Sequence, residues 1–240
     1  GGGAGGMRFF STAPGSNHPI NNSGASPNTT ITVTAQAYPI TVGAGGAGAP
    51  SGSPDEGSRG NDSVFSTVTS AKGGAGGGHC NMCNRPGASG GGGRNATTGG
   101  SGNTPPTAPP QGNDGGAGGA SSGSYRGSGG GGAGGVGTDG DTSSPDYGAG
   151  GVGAYIADPF IGPTAPSYGT PGPVSSTRYF AGGGSGAPGP GSASQGPPAG
   201  GGGASAVAGT ANTGGGGGAN PPGAGAAGGS GIVMIRYKFQ

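Results

Sequence analysis

The sequence predicts a mainly irregular and β architecture: a bundle of polyglycine II helices, extended and left-handed, with a small β-sheet that involves the C-terminal strand. Three observations predict it. Glycine supplies 71 and proline 23 of the 240 residues, and Trp and Leu are absent. The glycine is gathered in tracts, among them 43–48, 73–78, 129–137 and 214–218. The large side chains fall in a few short runs, the densest being the ending GIVMIRYKFQ.

Each tract excludes the common alternatives. Helices are disfavoured because Gly costs about 1 kcal/mol and Pro about 3 kcal/mol relative to Ala in a helix interior. A collagen triple helix needs Gly at every third position, and stretches such as SGNTPPTAPPQ break that register. Disorder is the bland reading of so much Gly and Pro. Disordered chains, however, are usually kept open by charge, and only 9 basic and 8 acidic residues are present. A polyproline-type helix has three residues per turn and no internal hydrogen bonds, so its N–H and C=O groups point sideways. Glycine lets neighbouring backbones come close enough to bond these groups to one another, with weak Cα–H···O contacts adding to them. Proline is tolerated because its fixed φ suits the helix and only one donor is lost.

The strand-like segments follow in order. Thr30 to Thr34 alternates Ile and Val with Thr, as a half-buried strand does. Tyr38 to Val42 alternates again, with Pro39 marking a strand start or edge. Ser63 to Ala71 reads as a β-branched strand, and the tail from Ile232 places Val233, Ile235, Tyr237 and Phe239 on one face. The tail is expected to pair with the early strands and lock the glycine helices. The whole chain, 1–240, reads as a single glycine-rich domain, and its start on Gly1 reads as the C-terminal part of a longer chain.

A net charge of +1 with scattered Arg speaks against a nucleic-acid partner, which wants a clustered basic surface. No apolar run approaches the roughly 20 residues of a membrane span, so no membrane insertion is expected. The many G-x-G-x-x-G matches are inevitable in this composition, and a phosphate loop also needs a preceding strand and a following helix. Neither a cofactor nor enzyme activity is expected. His79, Cys80 and Cys83 in HCNMC are half of a zinc site, but four ligands are needed and the only other His is His18, so no metal is assigned. A small-loop disulfide or two free thiols are the alternatives. Asp139, Asp141 and Asp146 lack the bidentate Glu of an EF-hand and read as turn residues.

Several segments taken together, AYPITVGAGGAG, NDSVFSTVTSAKGGAGGG, RYFAGGGSG, GTANTGGGGG and GGSGIVMIRYKFQ, resemble the glycine-rich domain of bacteriophage tail-fibre, adhesin and related virion structural proteins. The resemblance covers nearly the whole chain. It implies a rigid scaffold of polyglycine helices whose loops attach to the host cell surface, a place on the virion exterior, and partners among other virion proteins, copies of the chain and a host receptor. A secreted antifreeze-type protein and a bacterial surface or filament subunit are the competing structural roles. The chain departs from the plain glycine-rich pattern at 101–111 and 154–180.

Within the second insert, Tyr155, Phe160, Tyr168, Arg178 and Tyr179 are the candidate receptor-binding residues. Loops on a rigid scaffold commonly carry binding, and Tyr and Arg are favoured at hot spots. The competing role for the insert is packing, since Ile156, Phe160 and Ile161 are apolar enough for an interface core. Circular dichroism of the chain is expected to show extended left-handed character with some strand. A helical content above about a tenth would contradict the glycine and proline propensities on which this architecture rests.

Overall fold

The backbone hydrogen bonds of the first six residues repeat with a period of three. Gly2 and Gly5 donate to Gly217 and Gly214, Gly3 and Gly6 donate to Gly74 and Ala71, and Ala4 donates to Gly131. Gly1 donates to Ser128, three residues before Gly131. The carbonyls fill the intervening directions: Gly1 and Ala4 accept from Gly92 and Ser89, and Gly2 accepts from Gly184. A threefold helix without internal bonds must place its polar groups in this way.

The computed structural model describes residues 1–10, 17–18, 34–51, 56–77, 85–119, 127–140, 148–187, 195–220 and 223–237, with 17–18 as backbone only. Through these residues the same bonding joins one glycine tract to the next. Gly74 and Gly77 donate to Ser89 and Gly92, Gly130 and Ala133 donate to Gly184 and Ala181, and Gly216 donates to Gly182. The segments 71–77, 88–93, 128–133, 181–187 and 214–218 therefore surround 1–6, each supplying partners for its N–H or C=O groups.

Two three-stranded antiparallel sheets accompany the bundle. The first joins β2 (Ile40–Thr41), β3 (Ser63–Phe65) and β4 (Val68–Ser70), with Thr41 opposite Val64 and Val64 opposite Thr69. The second joins β1 (Asn17–His18), β5 (Ala154–Ala157) and β6 (Thr177–Phe180), with Tyr155 opposite Tyr179. Among the described residues the only helices are α1 (Asp158–Ile161) and a 3₁₀ turn at Ala165–Ser167.

Three expectations are corrected. Residues 63–71 form a hairpin and not one strand, because the chain reverses at Ser66, whose φ of 53° is left-handed. The 154–180 insert contains strands as well as loops. The tail 231–237 is not a strand and does not join either sheet. Its predecessor is a threefold segment bonded to 43–49, with Gly225, Gly228 and Gly231 donating to Ala49, Gly46 and Gly43. Beyond Gly43 that partner leaves the bundle, so the tail is held by its side chains. Of the expected strand at 30–34, Thr30 to Val33 lie outside the described residues, as do Lys238 to Gln240 of the tail.

Ala4, Met7, Phe9, Ala133, Ala154, Ile156, Phe180 and Ala181 form the buried apolar cluster, with Phe160, Ile161, Ile232 and Met234 packed against it. The insert and the tail thus meet the glycine bundle at one place, where the 1–7 segment runs out of glycine into Met7 and Phe9.

The spacing between helices has a direct test. A Cβ on Gly90 would lie 1.7 Å from the Gly100 carbonyl oxygen, whereas one on Gly196 meets nothing within 4 Å. Gly90→Ala is expected to lower stability in urea by about 1–3 kcal/mol or more, the scale of overpacking. Gly196→Ala is expected to be neutral or to stabilise by up to about 1 kcal/mol through the unfolded chain.

Candidate functional site

The 154–180 insert is built as a strand, a helical turn, a loop and a returning strand. Asp158-Pro159 starts α1, with Pro at a position where no helical N–H is needed and Asp at the positive end of the dipole. Gly162 stops it at a φ of 92°. The carbonyls left open at that end are met by the tail: Arg236 Nη1 donates to the carbonyls of Pro159 (3.1 Å) and Phe160 (3.2 Å). Its guanidinium also lies over the Phe160 ring, 5.4 Å from the centroid. Of the two faces of the tail it is therefore the mixed one, carrying Ile232, Met234 and Arg236, that contacts the rest of the molecule, and Ile235 and Tyr237 are exposed.

Arg178 plays a matching part on the other side of the insert. Its Nε donates to the Tyr168 carbonyl (2.6 Å) and its Nη2 donates to those of Gly169 (2.9 Å) and Pro166 (3.4 Å). The forked donor set of arginine thus gathers the carbonyls that end the 3₁₀ turn. Thr170 exchanges both backbone bonds with Tyr179, so the loop returns along the outer edge of β6.

The candidate residues divide by burial. Tyr179 is 4% exposed, its ring lies 5.4 Å from that of Tyr155, and its hydroxyl accepts from the Val174 N–H at 3.4 Å. A Cβ on Gly172 would fall 2.4 Å from the Tyr179 ring, so glycine there is what lets the ring lie flat on the loop. Phe160 packs against the core cluster and meets Phe9 edge to face at 4.9 Å. Tyr155 and Arg178 are half-buried, and Tyr168 is exposed. The outer surface of the insert is therefore made by Tyr168, with Tyr155 and Val174, while Phe160 and Tyr179 hold the insert in place.

Arg236 and Gly172 were not singled out from the sequence. The signal for Arg236 is the alternation of the tail, which puts it on the same face as Ile232 and Met234. His79, Cys80 and Cys83 lie outside the described residues, as do Asp141 and Asp146. Asp139 accepts from the Ala117 N–H through Oδ1 at 2.7 Å, a tie between two segments 22 residues apart and not the local turn role expected of it. Among the described residues no helix is long and apolar enough to cross a membrane.

This division yields a paired expectation in thermal or urea unfolding. Tyr179→Ala should cost about 3–5 kcal/mol, the scale of truncating a buried aromatic residue. Tyr168→Ala should change stability by no more than about 0.5 kcal/mol, as an exposed substitution does.

No curated protein and no solved structure matches the chain. A family model described as a glycine-rich domain does match, and it spans residues 1–238. With the match running from the first glycine tract through the bundle and the insert into the apolar tail, the chain belongs to the glycine-rich domain family.

Proposed function

We propose that the chain is a structural and interaction protein without enzyme activity: a tail-fibre or adhesin domain on the exterior of a phage particle, whose glycine-rich bundle is the rigid support for an attachment surface. The observation that carries this reading is the build of the 154–180 insert. Its inner residues are fastened, by Tyr179 on Gly172, by Arg178 on the 166–169 carbonyls and by Arg236 on α1, while Tyr168 faces outward. A loop held on a rigid framework loses little entropy on binding, which is how pre-organisation raises affinity. The place on a phage particle is supported by the resemblance of the segments quoted above to virion glycine-rich domains. On this reading the partners are other virion proteins or copies of the chain on one side, and a receptor on the host cell surface on the other.

The test separates recognition from assembly. The double substitution Tyr155→Ser and Tyr168→Ser leaves Phe160 and Tyr179 in place, and it is introduced into the particle with assembly and host-cell adsorption measured separately. Adsorption is expected to fall at least tenfold, which corresponds to about 1.4 kcal/mol, with assembly unchanged. Lost assembly, or adsorption equal to that of the unaltered particle, rejects the proposal.

A further inference from the structure

Each helix of such a bundle offers three N–H and three C=O directions in alternation, so it takes six neighbours. The 1–6 segment has five among the described residues. On its sixth side, between 71–77 and 214–218, lies a cavity of about 1120 Å³. Six glycine-rich segments border that cavity, 1–6, 214–218, 225–231, 43–49, 57–61 and 71–77, and residues 7–10, the tail 232–237 and parts of the insert line it as well.

The period of three tells which backbone groups face it. In 71–77, Gly74 and Gly77 donate to Ser89 and Gly92, while Ala71 and Gly74 accept from Gly6 and Gly3. The N–H groups of Gly73 and Gly76 are left for the cavity. In 214–218, Gly216 and Gly218 donate to Gly182 and Val207, which leaves the N–H of Gly217. In 43–49, Gly46 and Ala49 accept from Gly228 and Gly225 and turn their own N–H groups inward. None of these five N–H groups has a partner among the described residues.

The other three walls present carbonyls. Ala226 and Gly229 donate outward to Gly218 and Gly215, and Ser58 and Asn61 donate to Ala47 and Ala44. The carbonyls of those four residues, and that of Gly3, accept nothing among the described residues. All ten groups belong to residues that line the cavity. Going around it, the walls alternate: the 1–6 carbonyl, the 214–218 N–H, the 225–231 carbonyls, the 43–49 N–H groups, the 57–61 carbonyls and the 71–77 N–H groups. That alternation is the complement of one threefold helix. The walls repeat at 46 and 49, 58 and 61, 73 and 76, and 226 and 229, so the position is two turns deep. At about 3.1 Å per residue it takes roughly six residues.

The wall between 57–61 and 71–77 has no backbone hydrogen bond among the described residues. It is joined by Lys72 N–H donating to Asp62 Oδ1 (2.8 Å), and Glu56 reaches past it to the buried Arg85 (2.7 Å). The other five pairs of adjacent walls are bonded backbone to backbone, so an incoming segment on this side displaces side-chain contacts alone.

We propose that this cavity is a vacant helix position of the bundle and that it binds an extended run of about six glycine and alanine residues, in the polyglycine II conformation, from a second polypeptide chain. The chemistry is that of adding one helix to the array. The incoming backbone donates to Gly3, Ser58, Asn61, Ala226 and Gly229 and accepts from Gly46, Ala49, Gly73, Gly76 and Gly217. Gly73 and Gly217 are buried, and buried backbone groups left unpaired are unfavourable, which gives the complex its driving force. Side chains are excluded where the spacing is that seen at Gly90, whose Cβ would already lie 1.7 Å from a neighbouring carbonyl oxygen, and a methyl fits only where it meets a gap, as that of Ala4 does. The inference does not depend on the phage assignment.

The probe is the peptide acetyl-Gly-Gly-Gly-Ala-Gly-Gly-Lys-amide, with acetyl-Gly-Val-Gly-Val-Gly-Val-Lys-amide as the control. Amide exchange of the full chain is followed by NMR at Gly46, Gly73, Gly76 and Gly217, with Gly74, which donates to Ser89, as the reference for an intact bundle. The glycine peptide is expected to slow exchange of the four amides at least tenfold, and the valine peptide to leave them unchanged. A Cβ on Gly5 would stand 3.7 Å from the Gly214 oxygen and 3.9 Å from the Ala71 oxygen, at ordinary contact and facing the cavity. Gly5→Val is therefore expected to abolish the effect with Gly74 still protected. If that variant does not fold, Gly228→Val enters from the opposite wall, where its Cβ is 3.4 Å from Gly46 N. The proposal is overturned by unchanged exchange at about 5 mM peptide, which is weaker than any useful affinity. Equal protection by the valine peptide or in a folded variant overturns it too. So does protection of the four amides in the dilute chain alone, since the chain's own residues would then fill the position.

Discussion

In the glycine tracts, backbone N–H and C=O groups find their partners across gaps too narrow for a side chain. In an α-helix or a sheet the backbone groups are satisfied within the element or along one plane, and side chains fill the space between elements. Here the partners of one helix lie on neighbouring helices, and the space between elements is occupied by Cα hydrogens. Gly2, Gly3 and Ala4 donate in three different directions to three different segments. The alanine is accepted only because its methyl falls into the small apolar cluster with Ala133 and Ala181. Each such bond contributes about 0.5–1.5 kcal/mol net, and glycine loses more backbone entropy on ordering than any other residue. Stability therefore depends on pairing being nearly complete.

The same constraint sorts the side chains. Large residues find little room between the helices, Arg85 and Gln111 being buried among the tracts as exceptions, so most collect where the helices end. Met7, Phe9, Ile156, Phe180, Phe160 and Met234 come together at the mouth of the bundle, and the insert and tail are the two segments that bring most of them. Arginine is the charged residue that recurs at these junctions. Arg178 and Arg236 each bind two or more carbonyls that the local fold leaves open, and Arg85 is buried against Glu56, with burial pushing its pKa down and the carboxylate opposing that shift. A planar fork with several donors suits an architecture with an excess of exposed carbonyl edges.

A bundle held by alternating donors and acceptors also makes any gap in it specific. The ten groups around the cavity that have no partner among the described residues present the same pattern that each filled position satisfies. In a protein with an ordinary hydrophobic core a comparable cavity would be shaped by side chains and would select by volume. Here it selects by backbone pattern and by the absence of side chains, which makes the bundle interior and the vacant position two states of one structural rule.

Much of the architecture was legible in the composition. The glycine tracts, the missing Leu and the low charge already exclude helices and a conventional core, and the three-residue period of the bonding follows from the geometry of an extended glycine helix. Strand character in 38–42 and 63–71 was legible from alternation, because side chains at period two are a local property. Which tract lies beside which was not, since Gly73 and Gly217 carry no side chain to distinguish them and their partners are set by where the loops return. The tail shows the difference. Its alternation is plain in IVMIRYKFQ, but the choice between pairing in a sheet and capping the core depended on whether a strand edge or the α1 carbonyls lay within reach of residues 232–236. The insert shows it again: five residues stood out by type, yet Tyr179 became buried and Tyr168 exposed because of Gly172 and the path of a loop. Sequence determined the kind of contact this chain can make, because that follows from the size of the side chain at each position. Only the tertiary structure decided the partners, because identical glycine backbones are told apart by position alone.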